Sequence, residues 1–502
     1  MNRRVWIALS CGVALSASVA AAQTWTGSGT SNLWSNNANW STPPGGSPST
    51  LTFSGTTNTS TLNDSVTSVG GIRFANTTTS GSFVLAGSST VTVSGSFFTA
   101  NGNAGTEEIT FPIALSGALV QANVGGSGHF LKISGVITGT AGTEFSKRGD
   151  NGRLILTANN TFIGKFSPRV GQVQFPKWGN ISDPAPLGAG NLPIEVGQAA
   201  QTVEMIYDGV GETTNRYIQV GMGTSGVGGA TITSSGSGPL VFTAAGRDMS
   251  HPLYGNLLFN QQHTGATVGR TLTFQGSNTG TNTVASIIVD NVDGGTARIG
   301  VTKAGSGKWI LSGTNSYTGG TQVNAGTLVL DGLTGPSAFT NSVASGAILA
   351  GSGTMSGAST VSGILSPGSC VGSIGTLSFS GSSVIWNGGA TAAPATDWLF
   401  DLGAANTSDR VSITGPFNKL GSVYRFDFGG STEVGTFTLA SWTTTTQFSA
   451  SDFSYTNLGG GNTGTFSFSG NNLVLTVVPE PSTMAGLAAA AAACVWRMRR
   501  RR

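Results

Sequence analysis

The sequence predicts an all-β chain: a parallel right-handed β-helix (β-solenoid), then a small β-rich C-terminal domain and a short C-terminal apolar helix. Three observations carry this. Charged residues make up only 9% of the 502 residues, and Gly reaches 77, against averages of about a quarter charged and about 7% Gly. Val, Leu, Ile and Phe alternate with Ser, Thr and Asn, which suits pleated surfaces joined by Gly and Asn turns. Finally, two stretches 155 residues apart repeat in register.

The N-terminal element, residues 1–22, reads as a secretory signal. Arg3 and Arg4 form its charged start, residues 5–19 are mostly apolar, and Ala20, Ala21 and Ala22 supply small residues for cleavage, leaving Gln23 as the new N-terminus. Cys11 does not make this a lipoprotein signal, because the apolar stretch before it is too short.

Residues 23–379 are expected to form the solenoid, with repeats near 144–175 and 301–332. Arg153 aligns with Lys308, Leu154-Ile155-Leu156 with Trp309-Ile310-Leu311, Asn160 with Asn315, Phe162 with Tyr317, Gly164 with Gly319 and Gly171 with Gly326. In the second copy, residues 308–311, 321–323 and 327–330 read as three short strands. Residues 313–320, including Gly319 and Gly320, and the Asn324-Ala325-Gly326 corner turn the chain, with Tyr317 placed to cover the edge of the coil. One such coil cannot bury its inner face alone, so coils must stack. Coils of roughly 20–25 residues give about 15 turns and, at about 4.8 Å each, a rod of roughly 70 Å.

Residues 380–478 read as a β-rich cap, with strands near 398–402, 424–428, 435–439 and 473–477. Ser408-Asp409-Arg410-Val411 is expected to make a turn and a surface ion pair. The tail, 479–502, has three parts in order: Pro479-Glu480-Pro481, an apolar stretch over 484–496, and Arg497, Arg499, Arg500, Arg501 and Arg502. The prolines stop a helix from extending backwards, and the arginines favour the cytoplasmic side. The apolar stretch is shorter than the roughly 20 residues of a full span, so it reads as a marginal membrane segment.

Charge and chemistry narrow the function. The formal charge of +3 is set by the two ends. Without Arg3, Arg4, the five tail arginines and Glu480, 17 basic and 20 acidic residues remain, a net charge near −3. A nucleic-acid binder carries a basic face, so nucleic acid is set aside as a partner. Cys370 is the only cysteine between the two ends, which precludes an internal disulfide there.

His129, His251 and His263 have no metal-ligand spacing, and no nucleophile elbow is present. Glu107 and Glu108, adjacent on a strand, face opposite sides. Asp397 with Asp401 reads as a solvated edge, and Asp290-Asn291-Val292-Asp293-Gly294-Gly295 as a turn rather than a calcium loop. Arg148-Gly149-Asp150 matches an adhesive tripeptide by three residues only, and the Gly-rich stretch 221–229 lacks the lysine of a phosphate loop. No residue is nominated as catalytic, and no metal or cofactor is indicated.

The pattern over 307–330 resembles the autotransporter-associated β-strand repeat of bacterial passenger domains. The first copy departs from it: Lys165 and Phe166 replace Gly-Thr, and Arg169 stands where the Asn-Ala turn begins. Residues 363–379, with Leu365-Ser366-Pro367-Gly368, resemble the coil that often follows such repeats. Trp25, Trp34 and Trp40 resemble the opening of such proteins, which implies an N-terminal cap. Residues 380–478 are too few for the usual translocator barrel.

The tail resembles the PEP-CTERM sorting signal. That implies processing by an exosortase-type enzyme, with signal peptidase acting at the other end and a transient hold on the inner membrane through the apolar helix. Pro479, Glu480 and Pro481 would then be substrate residues. Exosortase tails tend to occur in bacteria that make exopolysaccharide. The resemblance therefore implies an envelope-sorted surface protein with a structural or adhesive role beside a polysaccharide matrix. The alternative is a polysaccharide-degrading enzyme on the same scaffold. Ice or crystal-surface binding needs regular Thr ladders, and Thr77-Thr78-Thr79 and the Thr run at 443–446 are clustered instead.

Overall fold

The computed structural model describes residues 23–480 and Trp496. Within that range it omits 76–81, 100–104, 223–226, 244–256, 261–266, 291–295, 337–338, 369–371 and 390–397. The signal segment and nearly all of the sorting tail, with the expected helix over 484–496 and the arginines beyond it, lie outside the described residues.

The chain winds as a parallel solenoid with three strands per coil. One turn shows the construction. Ile194–Gln198, Val203–Tyr207 and Val210–Thr214 lie on three different sheets, and Ile218–Met222 returns to pair in parallel with Ile194–Gln198. Short corners separate the strands, such as Asp208-Gly209 after Val203–Tyr207 and Asn215 after Val210–Thr214. Along most strands every second residue is buried, as in Arg153–Leu156 and Ile299–Lys303, so apolar side chains fill one continuous core.

Among the described residues the longest sheet has 15 strands, running from Ser60–Asn63 to Phe417–Leu420. Its 14 steps, at about 4.8 Å each, make a rod of roughly 67 Å.

The parallel ladder does not stop at the expected 379/380 boundary. Thr376–Ser380 straddles it and pairs in parallel with Arg410–Thr414, while Val384–Asn387 continues the 15-stranded sheet. Parallel pairing persists as far as Phe453–Leu458 against Tyr424–Ser431. Only then does the chain reverse: Gly435–Trp442 and Asn462–Ser469 both pair antiparallel with Asn472–Pro479. The closing element is thus a hairpin added to the last coils.

Aromatic clusters sit near both ends. Trp25, Trp34 and Trp40, all buried, pack with Phe53, the Trp25 and Trp40 rings meeting edge-on at 5.1 Å. Near the other end Trp386 and Trp398 stack at 3.6 Å beside Phe426 and Phe453.

Candidate functional site

The repeat residues are interior fasteners. Asn315 is buried and ties three coils. Its Oδ1 accepts from the Ile288 N–H at 2.9 Å, and its Nδ2 donates to the carbonyls of Gly313 and Leu333, both at 3.0 Å. Asn160 does the same in the first copy, accepting from Ile137 N–H at 2.8 Å and donating to Pro186 O at 2.7 Å. Trp309 lies in the core against Phe274 and donates to Gln275 O. Gly319 lets two coils touch, since a Cβ there would meet the Ile299 carbonyl at 2.5 Å. Gly320 and Gly326 turn the chain at φ +85° and +64°.

Tyr317 corrects its expectation. It does not cover an edge but is fully buried, with its hydroxyl 2.7 Å from Thr321 Oγ1. Its ring fills the coil interior, as Phe162 does in the other copy.

Two residues escaped the repeat alignment. Lys303, fully buried, donates from Nζ to the carbonyls of Ala304, Gly305 and Ala325 at 2.6, 2.8 and 2.9 Å. Lys147, also fully buried, donates to those of Arg148, Asp150 and Val170 at 2.8, 3.3 and 2.9 Å. Three carbonyls match the three donors of an ammonium. Burial nevertheless pushes Lys147 down to about 7 and Lys303 down to about 8. The pair sits 156 residues apart rather than 155, because the first copy has one extra residue in the intervening turn.

The departures of the first copy also have a physical reason. Lys165 pairs with Glu195, and Arg169 lies 2.9 Å from Glu144 and 3.6 Å from Glu195. Burial pushes the Glu144 carboxyl up, but hydrogen bonds from Ser167 and Arg169 outweigh it and hold the group below its ordinary range.

Among the described carboxylates weighed for chemistry, Glu107, Asp290 and Asp401 each accept from backbone N–H groups. Glu107 accepts from the Phe83 N–H, while Glu108 turns to Ser134 and Lys132, so the adjacent pair does not converge. Asp290 accepts from the Ile299 N–H and from both the N–H and hydroxyl of Thr318. Asp401 accepts from the Gly372 N–H. Asp409 was expected in a surface ion pair. It is buried and accepts from the N–H groups of Gly375 and Asp401 at 2.8 and 2.9 Å. Burial pushes it up to about 7, and Glu107 likewise to about 7. Gly149 makes a turn at φ +83° after the strand Glu144–Arg148. His251, His263, Asp293 and Asp397 lie outside the described residues.

The outer face of the 15-stranded sheet carries what the interior does not. Strand register sets Phe130, Arg153, Gln172, Glu204, Thr231, Thr273, Thr302, Gln322, Ser342 and Thr360 one above another in successive coils. Each lies on the half-buried, outward phase of its strand. Neighbours bond along the row: Arg153 to Gln172 at 2.9 Å, Gln172 to Glu204 at 2.7 Å and Ser342 to Gln322 at 2.9 Å. Beyond Phe130 the row is a strip of hydroxyl, amide and charged groups parallel to the rod axis.

Both processing motifs adjoin the folded body. Gln23 opens the first strand, Gln23–Trp25. At the other end Pro479 is the last residue of Asn472–Pro479 and pairs with Asn462, and the Glu480 N–H donates to Gly461 O at 2.9 Å. Two of the three motif residues are therefore fastened to the closing hairpin, with no linker between. Among the described residues no helix is long and apolar enough to cross a membrane.

Comparison with known proteins agrees with these features. Residues 301–330 match the passenger-associated-transport-repeat, and residues 477–502 match the PEP-CTERM protein-sorting motif. A stretch of 122 residues is 37% identical to the adhesin BmaC autotransporter of Brucella suis biovar 1 (strain 1330), covering 24% of this chain and 3% of that protein. The chain thus spans a small fraction of the length of the curated relative it matches. It is an exported protein with passenger-type repeats, and its sorting motif implies exosortase processing.

Proposed function

We propose that the protein is a non-enzymatic surface rod, adhesive or structural, that holds extracellular polysaccharide along its outer polar strip. The observation that carries this is the register of the strip: from Arg153 to Thr360 hydrogen-bonding side chains recur in successive coils, about 4.8 Å apart. A polymer of hydroxylated units meets a matching series of donors and acceptors there. The similarity to an adhesin over part of the chain supports the same reading. The tail would hold the chain transiently in the inner membrane through residues 484–496 until an exosortase-type enzyme acts at Pro479, Glu480 and Pro481. Signal peptidase would act after Ala22.

The test is the size-exclusion profile of the producing organism's exopolysaccharide after incubation with purified protein. Co-elution without change of polymer size is expected. Shortened polymer would make the protein an enzyme, and no association would remove the matrix role. For the tail, replacing Pro479 and Pro481 is expected to leave unprocessed protein in the membrane fraction. Unchanged fractionation and mass would count against sorting.

A further inference from the structure

A groove of about 420 Å³ opens beside the polar strip, at the entry ends of successive strands of the 15-stranded sheet. Its size falls within the roughly 300–1,000 Å³ of small-molecule pockets. Gly269, Gly300 and Gly319 lie along it, so backbone rather than side chains forms much of its floor. The glycine at 319 is required by coil contact, since a Cβ would meet Ile299 and Gly300 backbone atoms at 2.5 Å. The bare trough is a consequence of that packing. Thr271 and Gly300 are register partners, so the groove crosses the coil boundary immediately beside the Thr273–Thr302 step of the strip.

Among the described residues, two arginines and no carboxylate line the groove, in a body whose net charge is near −3. Arg270 is buried beneath it, and Arg298 is exposed. The Arg298 guanidinium lies 5.4 Å from the centroid of the Phe339 ring, which is 53% exposed. A cation stacked on an aromatic ring keeps its planar fork of donors in one orientation. An exposed aromatic surface beside that fork offers an apolar platform at the width of one ring.

We infer that this groove binds a carboxylated sugar unit of an acidic polysaccharide. Arg298 takes the carboxylate through paired N–H donors, and Phe339 packs against the C–H face of the sugar ring. The adjoining Thr273 and Thr302 hydroxyls meet the next unit along the axis. This rests on the polysaccharide reading above and adds the chemical class: anionic through carboxylate, not neutral.

The test uses purified full-length protein with polygalacturonate oligomers as the probe and neutral dextran oligomers as the control, by isothermal titration. Wild type is expected to bind the polygalacturonate, more weakly as salt rises, and to ignore dextran. Arg298→Gln and Phe339→Ser, both at exposed positions, are expected to lower affinity about tenfold or more, a loss of at least roughly 1.4 kcal/mol, with unchanged melting temperatures. Arg298→Lys should retain part of the binding. Equal binding by wild type and both variants, or equal binding of dextran, would overturn the inference. Wild type that binds the native exopolysaccharide but not polygalacturonate overturns the carboxylate assignment while leaving the matrix reading intact. Wild type that binds neither overturns both.

Discussion

The ammonium of Lys303 occupies the space where a side chain at Gly326 would begin: a Cβ added there meets Nζ at 2.7 Å. The same distance from Gly171 to Lys147 is 2.8 Å. A buried cation and a left-handed glycine therefore form one unit, used twice. Lys303→Met leaves three carbonyls without this donor and is expected to cost about 2–4 kcal/mol. Gly326→Ala adds left-handed strain and crowding, costing about 1–3 kcal/mol. Because repeats unfold locally, hydrogen exchange over residues 299–330 is the appropriate readout. Undiminished protection in Lys303→Met would show that the carbonyl cap is not what holds this corner.

Asn315 and Asn160 each bridge neighbouring coils through their side-chain amides. Asn315→Leu strands the Ile288 N–H and removes the second donor from the Gly313 and Leu333 carbonyls, which keep the Leu333 and Asn315 backbone N–H groups, and about 1–3 kcal/mol of destabilisation is expected. Since the two sites share no partner, the effects of Asn315→Leu and Asn160→Leu should add to within about 0.5 kcal/mol. Denaturant titration of the single and double variants measures this, and strong non-additivity would mean that the copies are coupled through the rod.

Stability is expected to pass through a minimum near neutral pH. Glu107 and Asp409 rise on folding to about 7, so the folded state holds more protons and stability falls as pH climbs from their ordinary values towards 7. Lys147 falls on folding to about 7 and Lys303 to about 8. Between those values and 10.5 the unfolded state holds more protons, and stability rises with pH. Glu107→Gln keeps an acceptor for the Phe83 N–H and should flatten the acid limb. Melting temperatures from about pH 4 to about pH 10 test this, and a single maximum at neutrality would contradict it.

If an exosortase-type enzyme acts at Pro479, Glu480 and Pro481 as proposed, the motif must first leave the closing hairpin. Inserting Gly-Ser-Gly-Ser between Val478 and Pro479 separates the motif from its partners Asn462 and Gly461. Freed of hydrogen bonds worth about 0.5–1.5 kcal/mol each, the tail should be processed a few-fold faster. Pulse–chase mass analysis of the C-terminus reads the rate. Identical kinetics would mean that hairpin opening is not limiting.

By itself the sequence determined the chain's class and its C-terminal sorting motif. Low charge, Gly and Asn corners and the paired copies around Trp309, Asn315 and Gly326 led to stacked parallel coils, because those features are local or lie at one fixed offset. Pro479-Glu480-Pro481 was equally legible, since a sorting motif is read as contiguous sequence. The tertiary structure alone decided which side chains stand together. Thr231, Thr273, Thr302, Gln322, Ser342 and Thr360 form one row although they are 42, 29, 20, 20 and 18 residues apart after a first step of 27 from Glu204. Coils of unequal length hide such a ladder, since corners absorb extra residues without changing strand register. Arg298 and Phe339 meet for the same reason. The burial of Asp409 and Lys303 was invisible too: a charged side chain in a turn-rich stretch reads as exposed until neighbouring coils supply the backbone groups that hold it inside.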